Sequence, residues 1–153
     1  MRQFKQIILS TLILCGMWIS ASAQSIWINR SSAGGTGGSS VIWTGTLFVT
    51  VGGGGKIITS QNGISWTNRS VGDTIINGKI VTPGNLTSVA WMDTQFLAVS
   101  NSKAVVTSRD GTTWTVRPDT ATGGLNSITW TGTVSGSGAK QLVAVGLGGK
   151  ILT

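Results

Sequence analysis

The chain of 153 residues contains no histidine and no tyrosine, and its 4 acidic residues are all aspartates: Asp73, Asp93, Asp110 and Asp119. General acid–base catalysis draws mostly on His, Glu and Asp, and metal sites on His, Cys and carboxylates. This inventory points to no catalytic residue, no metal site and no cofactor. The one cysteine, Cys15, lies in an apolar stretch near the start and is preceded by Leu14, which does not suit a lipid-attachment signal. Beyond that stretch the chain has no cysteine, so no disulfide supports it and packing must supply its stability. Charged residues make up only 10% of the sequence. No helix-length apolar periodicity follows the first stretch, which excludes a helical bundle.

What is present begins with an export signal. Arg2 and Lys5 precede an apolar run over residues 7–19, and Ala21-Ser22-Ala23 is a small-x-small cleavage site before Gln24. Residues 1–23 therefore read as a signal peptide. The run is shorter than the roughly 20 residues a spanning helix needs, so no membrane span is expected after cleavage, and the product is expected to be secreted, periplasmic or extracellular. Nine of the 11 basic and all 4 acidic residues lie beyond Ala23, leaving a net charge of +5. The basic residues are scattered, whereas nucleic-acid sites cluster them, so no specific nucleic-acid partner is expected.

The rest of the chain, residues 24–153, repeats itself. Ser60-Gln61-Asn62-Gly63-Ile64-Ser65-Trp66 recurs as Ser108-Arg109-Asp110-Gly111-Thr112-Thr113-Trp114, an offset of 48 residues. Trp43 and Trp91, Phe48 and Phe96, Thr59 and Thr107, and Arg69 and Arg117 keep the same offset. A fixed period of this size signals one supersecondary unit per copy. Short β-branched and aromatic runs between Gly, Asn and Asp predict an all-β chain with tight turns. The first unit, 40–69, predicts strands over 40–44, 47–51, 56–60 and 64–69. The second, 87–117, predicts them over 87–92, 96–100, 104–108 and 112–117. The third, 127–153, predicts only 127–131, 141–145 and 150–153. Trp27-Ile28-Asn29-Arg30-Ser31 echoes Trp66-Thr67-Asn68-Arg69-Ser70, so residues 24–31 read as a lone fourth strand that closes a ring.

Ser-x-Asp-x-Gly-x-x-Trp and its shortened forms are the Asp-box, or BNR repeat, of sialidase-like β-propellers, and Ser108–Trp114 and Ser60–Trp66 resemble it. The flanking runs, such as Val41–Gly52 and Leu142–Gly146, are similar to secreted bacterial propeller repeats, including those grouped with photosystem II assembly-factor-like proteins. The resemblance implies four-stranded antiparallel blades, with about two and three-quarter blades in this chain. Closed propellers have about 4–8 blades, so the chain reads as part of a larger ring, either a fragment of a longer reading frame or a short protein that closes by self-association. The box is expected to be structural: Ser60, Asn62, Gly63 and Trp66, with Ser108, Asp110, Gly111 and Trp114, would fix the turn between the third and fourth strands. The implied function is a non-catalytic binding or scaffolding module for an unknown protein or polysaccharide. The alternatives are a fragment of a carbohydrate-active hydrolase and a cell-surface adhesion or assembly module. A sialidase needs Tyr and Glu, which this chain lacks. Xyloglucanase-like propellers use paired carboxylates, and here only Asp73 and Asp119 fall in suitable loops.

In such a blade the connections between units share one face and the box turns lie on the other. Candidate ligand residues are Asp73, Lys79 and Asp119 in the connections and Arg69 and Arg117, each three residues after a Trp; Arg30 repeats that spacing. Within the longest connection, Asn77-Gly78 between β-branched pairs predicts a hairpin over 74–81. Gly52-Gly53-Gly54-Gly55-Lys56 lacks the phosphate-loop spacing and leads into a strand, so it reads as a repeat turn. Trp43, Trp91 and Trp130 are expected to pack between units.

Overall fold

The computed structural model describes Ile28, Arg30 and residues 38–102, 104–118, 123–133 and 140–153. Residues 1–23, expected to be a signal peptide, most of the expected first strand at 24–31, and Asp119 lie outside the described residues; Ile28 and Arg30 themselves are exposed and not in a strand.

The described residues form antiparallel sheets and no α-helix. The first sheet is a meander of β1 (Gly38–Trp43), β2 (Phe48–Gly52), β3 (Lys56–Ser60) and β4 (Thr67–Asn68). A hairpin follows, β5 (Thr74–Ile76) and β6 (Lys79–Val81). The second meander is β7 (Leu86–Trp91), β8 (Phe96–Ser100), β9 (Ala104–Ser108) and β10 (Thr115–Pro118). The third has three strands, β11 (Leu125–Thr133), β12 (Lys140–Gly146) and β13 (Lys150–Leu152). None of these sheets closes on itself.

Alternation sets the cores. In β2, Val49 and Val51 are fully buried and face the second sheet with Ile57; there they meet Leu86, Val89, Phe96, Ala98 and Val106. The second sheet turns its other side, with Ala90 and Val99, to Leu125, Ile128 and Ala144 of the third. Each such aliphatic side chain contributes about 1.5–3 kcal/mol when fully buried. The second sheet is thus apolar on both faces, which only a sheet sandwiched between two others requires.

A bulge sits at the same place in all three sheets. The register shifts between Gly38 and Ser40, between Leu86 and Ser88, and between Leu125 and Ser127. The serine after each bulge then pairs with a valine: Ser40 with Val51, Ser88 with Val99, Ser127 with Val145. Bulges re-aim the side chains beside them. Here Ser40 Oγ accepts from Val89 N–H at 3.4 Å and Ser88 Oγ accepts from Ile128 N–H at 3.3 Å. Each bond satisfies an N–H on the free edge of the neighbouring sheet's first strand, where no ladder partner exists. Thr87, at the second bulge, adds an Oγ1 bond to Leu125 O at 2.7 Å.

The fourth strands start later than the sequence pattern predicts, at Thr67 instead of Ile64 and at Thr115 instead of Thr112. The first two intervening N–H groups of each turn are claimed by the turn side chains described below and cannot enter a ladder. The hairpin has Asn77 at φ 51° and Gly78 at φ 74°, the two left-handed residues of a type I′ turn. Val71 and Val81 pack on the first core, while Ile75 and Ile80 stay exposed. The glycine run Gly53–Gly55 is a tight turn leading into β3, with Gly54 and Gly55 left-handed, and Leu147–Gly149 repeats it before β13 with Gly148 and Gly149 left-handed.

Candidate functional site

Two turns built alike anchor the candidate site. In the first, Asn62 Oδ1 accepts from Ile64 N–H and Ser65 N–H, both at 2.9 Å, and Ser60 Oγ accepts from Gly63 N–H at 2.9 Å. In the second, Asp110 Oδ1 accepts from Thr112 N–H and Thr113 N–H, both at 2.8 Å, and Ser108 Oγ accepts from Gly111 N–H at 2.9 Å. This is the local competition by which Asx side chains replace regular structure. The hydroxyl and N–H of Thr112, the N–H of Thr113 and the Ser108 hydroxyl hold the Asp110 carboxyl well below its ordinary value. Trp66 and Trp114 are half-buried beside these turns, and Trp114 Nε1 donates to Gly111 O at 3.1 Å.

Each turn is tied to its sheet by an aromatic relay. Phe48 lies 4.2 Å from Trp43 and 6.2 Å from Trp66; Phe96 lies 4.3 Å from Trp91 and 5.6 Å from Trp114, between ring centroids. Such tilted pairs add about 0.5–1.5 kcal/mol beyond their burial. Trp43 and Trp91 are tied to their own sheets through this relay. Trp91 also packs on the core between the first and second sheets and Trp130 on that between the second and third, as expected of them, while Trp43 keeps one side open on a groove of about 320 Å³ that Trp91 and Trp130 also line.

A polar cleft of about 470 Å³ opens at the first turn, lined by Thr59, Ser60, Gln61, Asn62, Ser65, Thr67 and Arg69. A second, of about 630 Å³, is lined by Thr107, Ser108, Arg109, Asp110, Thr113, Thr115 and Arg117. These are the same seven positions shifted by 48 residues. Thr46 and Leu47 complete the rim of the first cleft, and Asp110 and Thr112 of the second sheet form its far wall. Neither arginine makes an ion pair among the described residues, where the pair found is Lys140 Nζ to Asp93 Oδ2 at 2.7 Å. Arg69 Nε is buried without a hydrogen-bond partner. The first cleft thus offers hydroxyls, the Gln61 and Asn62 amides and one guanidinium, Arg69, and the second offers hydroxyls and two guanidinium groups, Arg109 and Arg117.

The meander topology places these clefts at the end opposite the connections between sheets. Arg69 and Arg117 are brought to the turn residues, one cleft each. Asp73 and Lys79 are exposed in the connection and its hairpin, and line neither cleft. Sequence reasoning missed Thr67 and Thr115, and the contribution of Asp110 to two clefts at once; the offset of 48 carries the first signal, and nothing local carries the second. Among the described residues no group of three or more His, Cys, Asp or Glu side chains gathers as a metal site, and no helix is long and apolar enough to cross a membrane. No family model matches the chain, and no curated protein is significantly similar to it.

Proposed function

We propose that this chain is a secreted, non-catalytic binding module of the Asp-box β-propeller type, its stacked four-stranded sheets being blades, and that it holds an extended polysaccharide carrying acid groups. The observation that carries this reading is the recurrence of one arginine-bearing cleft at an offset of 48 residues. A repeated cleft suits a repeated ligand. Its hydroxyls and amides match sugar hydroxyls, and its guanidinium matches a carboxylate in a two-pronged geometry that lysine lacks. Two weak sites on one rigid body gain from effective concentration when a single polymer bridges them. The same composition disfavours hydrolysis: clefts whose titratable groups are arginines and a turn-bound carboxylate have no proton donor near neutrality.

Affinity electrophoresis of the purified chain through gels containing polygalacturonate or neutral dextran tests this. Retardation by polygalacturonate alone, weakened by salt and by Arg69→Ala or Arg117→Ala singly and lost in the double variant, is the expected result. Equal mobility in both gels, or retardation unchanged in the double variant, overturns the reading.

A further inference from the structure

We propose that Asp110 selects which acidic polymer the first cleft accepts, admitting one whose acid groups sit beside hydroxyls and turning away one that carries acid groups alone. The inference rests on the polysaccharide reading above and names the residue that gives it specificity. Both walls of this cleft lie within the described residues: Arg69, Gln61 and Asn62 come from the first sheet, Asp110 and Thr112 from the second. Arg69 and Asp110 carry opposite charges in one space of about 470 Å³ and still form no ion pair with each other. Each is held by its own sheet: Arg69 N–H donates to Ile57 O at 2.7 Å, and Asp110 is fixed by its turn. Arg69 Nε is buried and lacks an acceptor. A bound group that fills the gap must therefore bring an acceptor to one wall and donors to the other.

The carboxylate wall is the selective one. Asp110 Oδ1 already accepts from Ser108 Oγ, Thr112 N–H and Thr113 N–H, so Oδ2 holds the remaining acceptor capacity. Those donors favour the ionised carboxyl, and the wall is negative at neutral pH. A sugar acid sets its carboxylate on Arg69 and donates a hydroxyl to that wall. A polyanion without hydroxyls meets the same wall as a like charge and has nothing to donate. A hydrogen bond to a charged group changes affinity by about tenfold or more. Asn62, the counterpart of Asp110 one repeat earlier, accepts the same two turn N–H bonds without a charge, so the turn itself does not need a carboxylate. Asp110 also lines the second cleft, but there Arg109 and Arg117 outweigh it, and the selection is made in the first.

Affinity electrophoresis through polygalacturonate and through poly-L-glutamate, matched in carboxylate concentration, tests this. The first polymer carries hydroxyls and the second has none. The wild-type chain is expected to be retarded by polygalacturonate at a concentration about tenfold below that needed for poly-L-glutamate. Asp110→Asn, shown to be folded by cooperative melting at neutral pH, should bring the two near equality by weakening the first and strengthening the second. Arg117→Ala leaves the first cleft intact and should keep the preference, whereas Arg69→Ala should lose it. Asp73→Asn removes the same charge outside both clefts and should leave the ratio unchanged. Equal retardation of the wild-type chain by both polymers overturns the proposal without any variant, and leaves acid recognition by the clefts standing. A preference that survives Asp110→Asn or Arg69→Ala overturns it too, as does one that Asp73→Asn abolishes. No retardation in either gel removes the polysaccharide reading itself, and this inference with it.

Discussion

Gly63 and Gly111 occupy the same turn position, with φ of 68° and 71°, but their surroundings differ. A Cβ at Gly63 would meet Phe48 Cε2 at 3.6 Å, an ordinary contact. At Gly111 it would lie 2.6 Å from Leu47 Cδ2 of the first sheet and 3.4 Å from Phe96 Cε2. Alanine in the left-handed region costs about 1–2 kcal/mol, and this is the whole expected loss for Gly63→Ala. Gly111→Ala adds the cost of pushing the half-buried Leu47 side-chain tip off its rotamer, about 0.5–1.5 kcal/mol, for a total of roughly 1.5–3.5 kcal/mol. Urea unfolding followed by tryptophan fluorescence measures both. Repeating Gly111→Ala in a Leu47→Ala background closes a double-mutant cycle. There the loss should shrink to that of Gly63→Ala, because the methyl then has room. Equal losses for the two glycines in the wild-type background, or no coupling to Leu47, would refute the argument that the second turn bears directly on the first sheet.

Two further outcomes follow from the same geometry. Ser88→Ala leaves the Ile128 N–H buried without its acceptor and should cost about 1–3 kcal/mol, whereas Ser127→Ala, at an exposed site, should be nearly neutral; chemical denaturation compares them. Asp110 is held ionised by its turn, so its folded-state pKa lies below the unfolded one, near 3.8. Its contribution is therefore complete above about pH 4 and fades as acid protonates the folded carboxyl. Asp110→Asn keeps the acceptor oxygen, as Asn62 does naturally, and should flatten the melting-temperature profile between about pH 2 and 5; an unchanged slope would refute this role.

The strands were legible because both of their signals are local: apolar alternation and Gly-, Asn- or Asp-containing turns. The bounds of β3, β8 and β9 and the Asn77-Gly78 hairpin match the pattern residue for residue. The late start of β4 was hidden because Ile64 and Trp66 have high strand propensity, and only the capture of two N–H groups by Asn62 overrides it. The serine bonds between sheets were invisible for another reason. In a chain rich in Ser, Thr and Gly, Ser40 and Ser88 stand out only once the bulges give them a direction. The cleft was half legible: Arg69 and Arg117 recur visibly, but the wall that Asp110 supplies to Arg69 comes from another sheet, and no spacing rule predicts it.

The serine bonds also make two backbone amides into separate clocks. In most sheets an outermost N–H exchanges quickly with solvent, since no neighbour covers it. Val89 and Ile128 sit on such edges, yet their protons are held by a side chain from the adjoining sheet. Their deuterium uptake therefore times the parting of one sheet from the next, while amides within β8, which is paired on both sides, time the unfolding of a sheet itself. Comparing the two rates in one experiment separates loosening between repeats from melting within them, and shows whether the chain opens like a fan or comes apart as a whole.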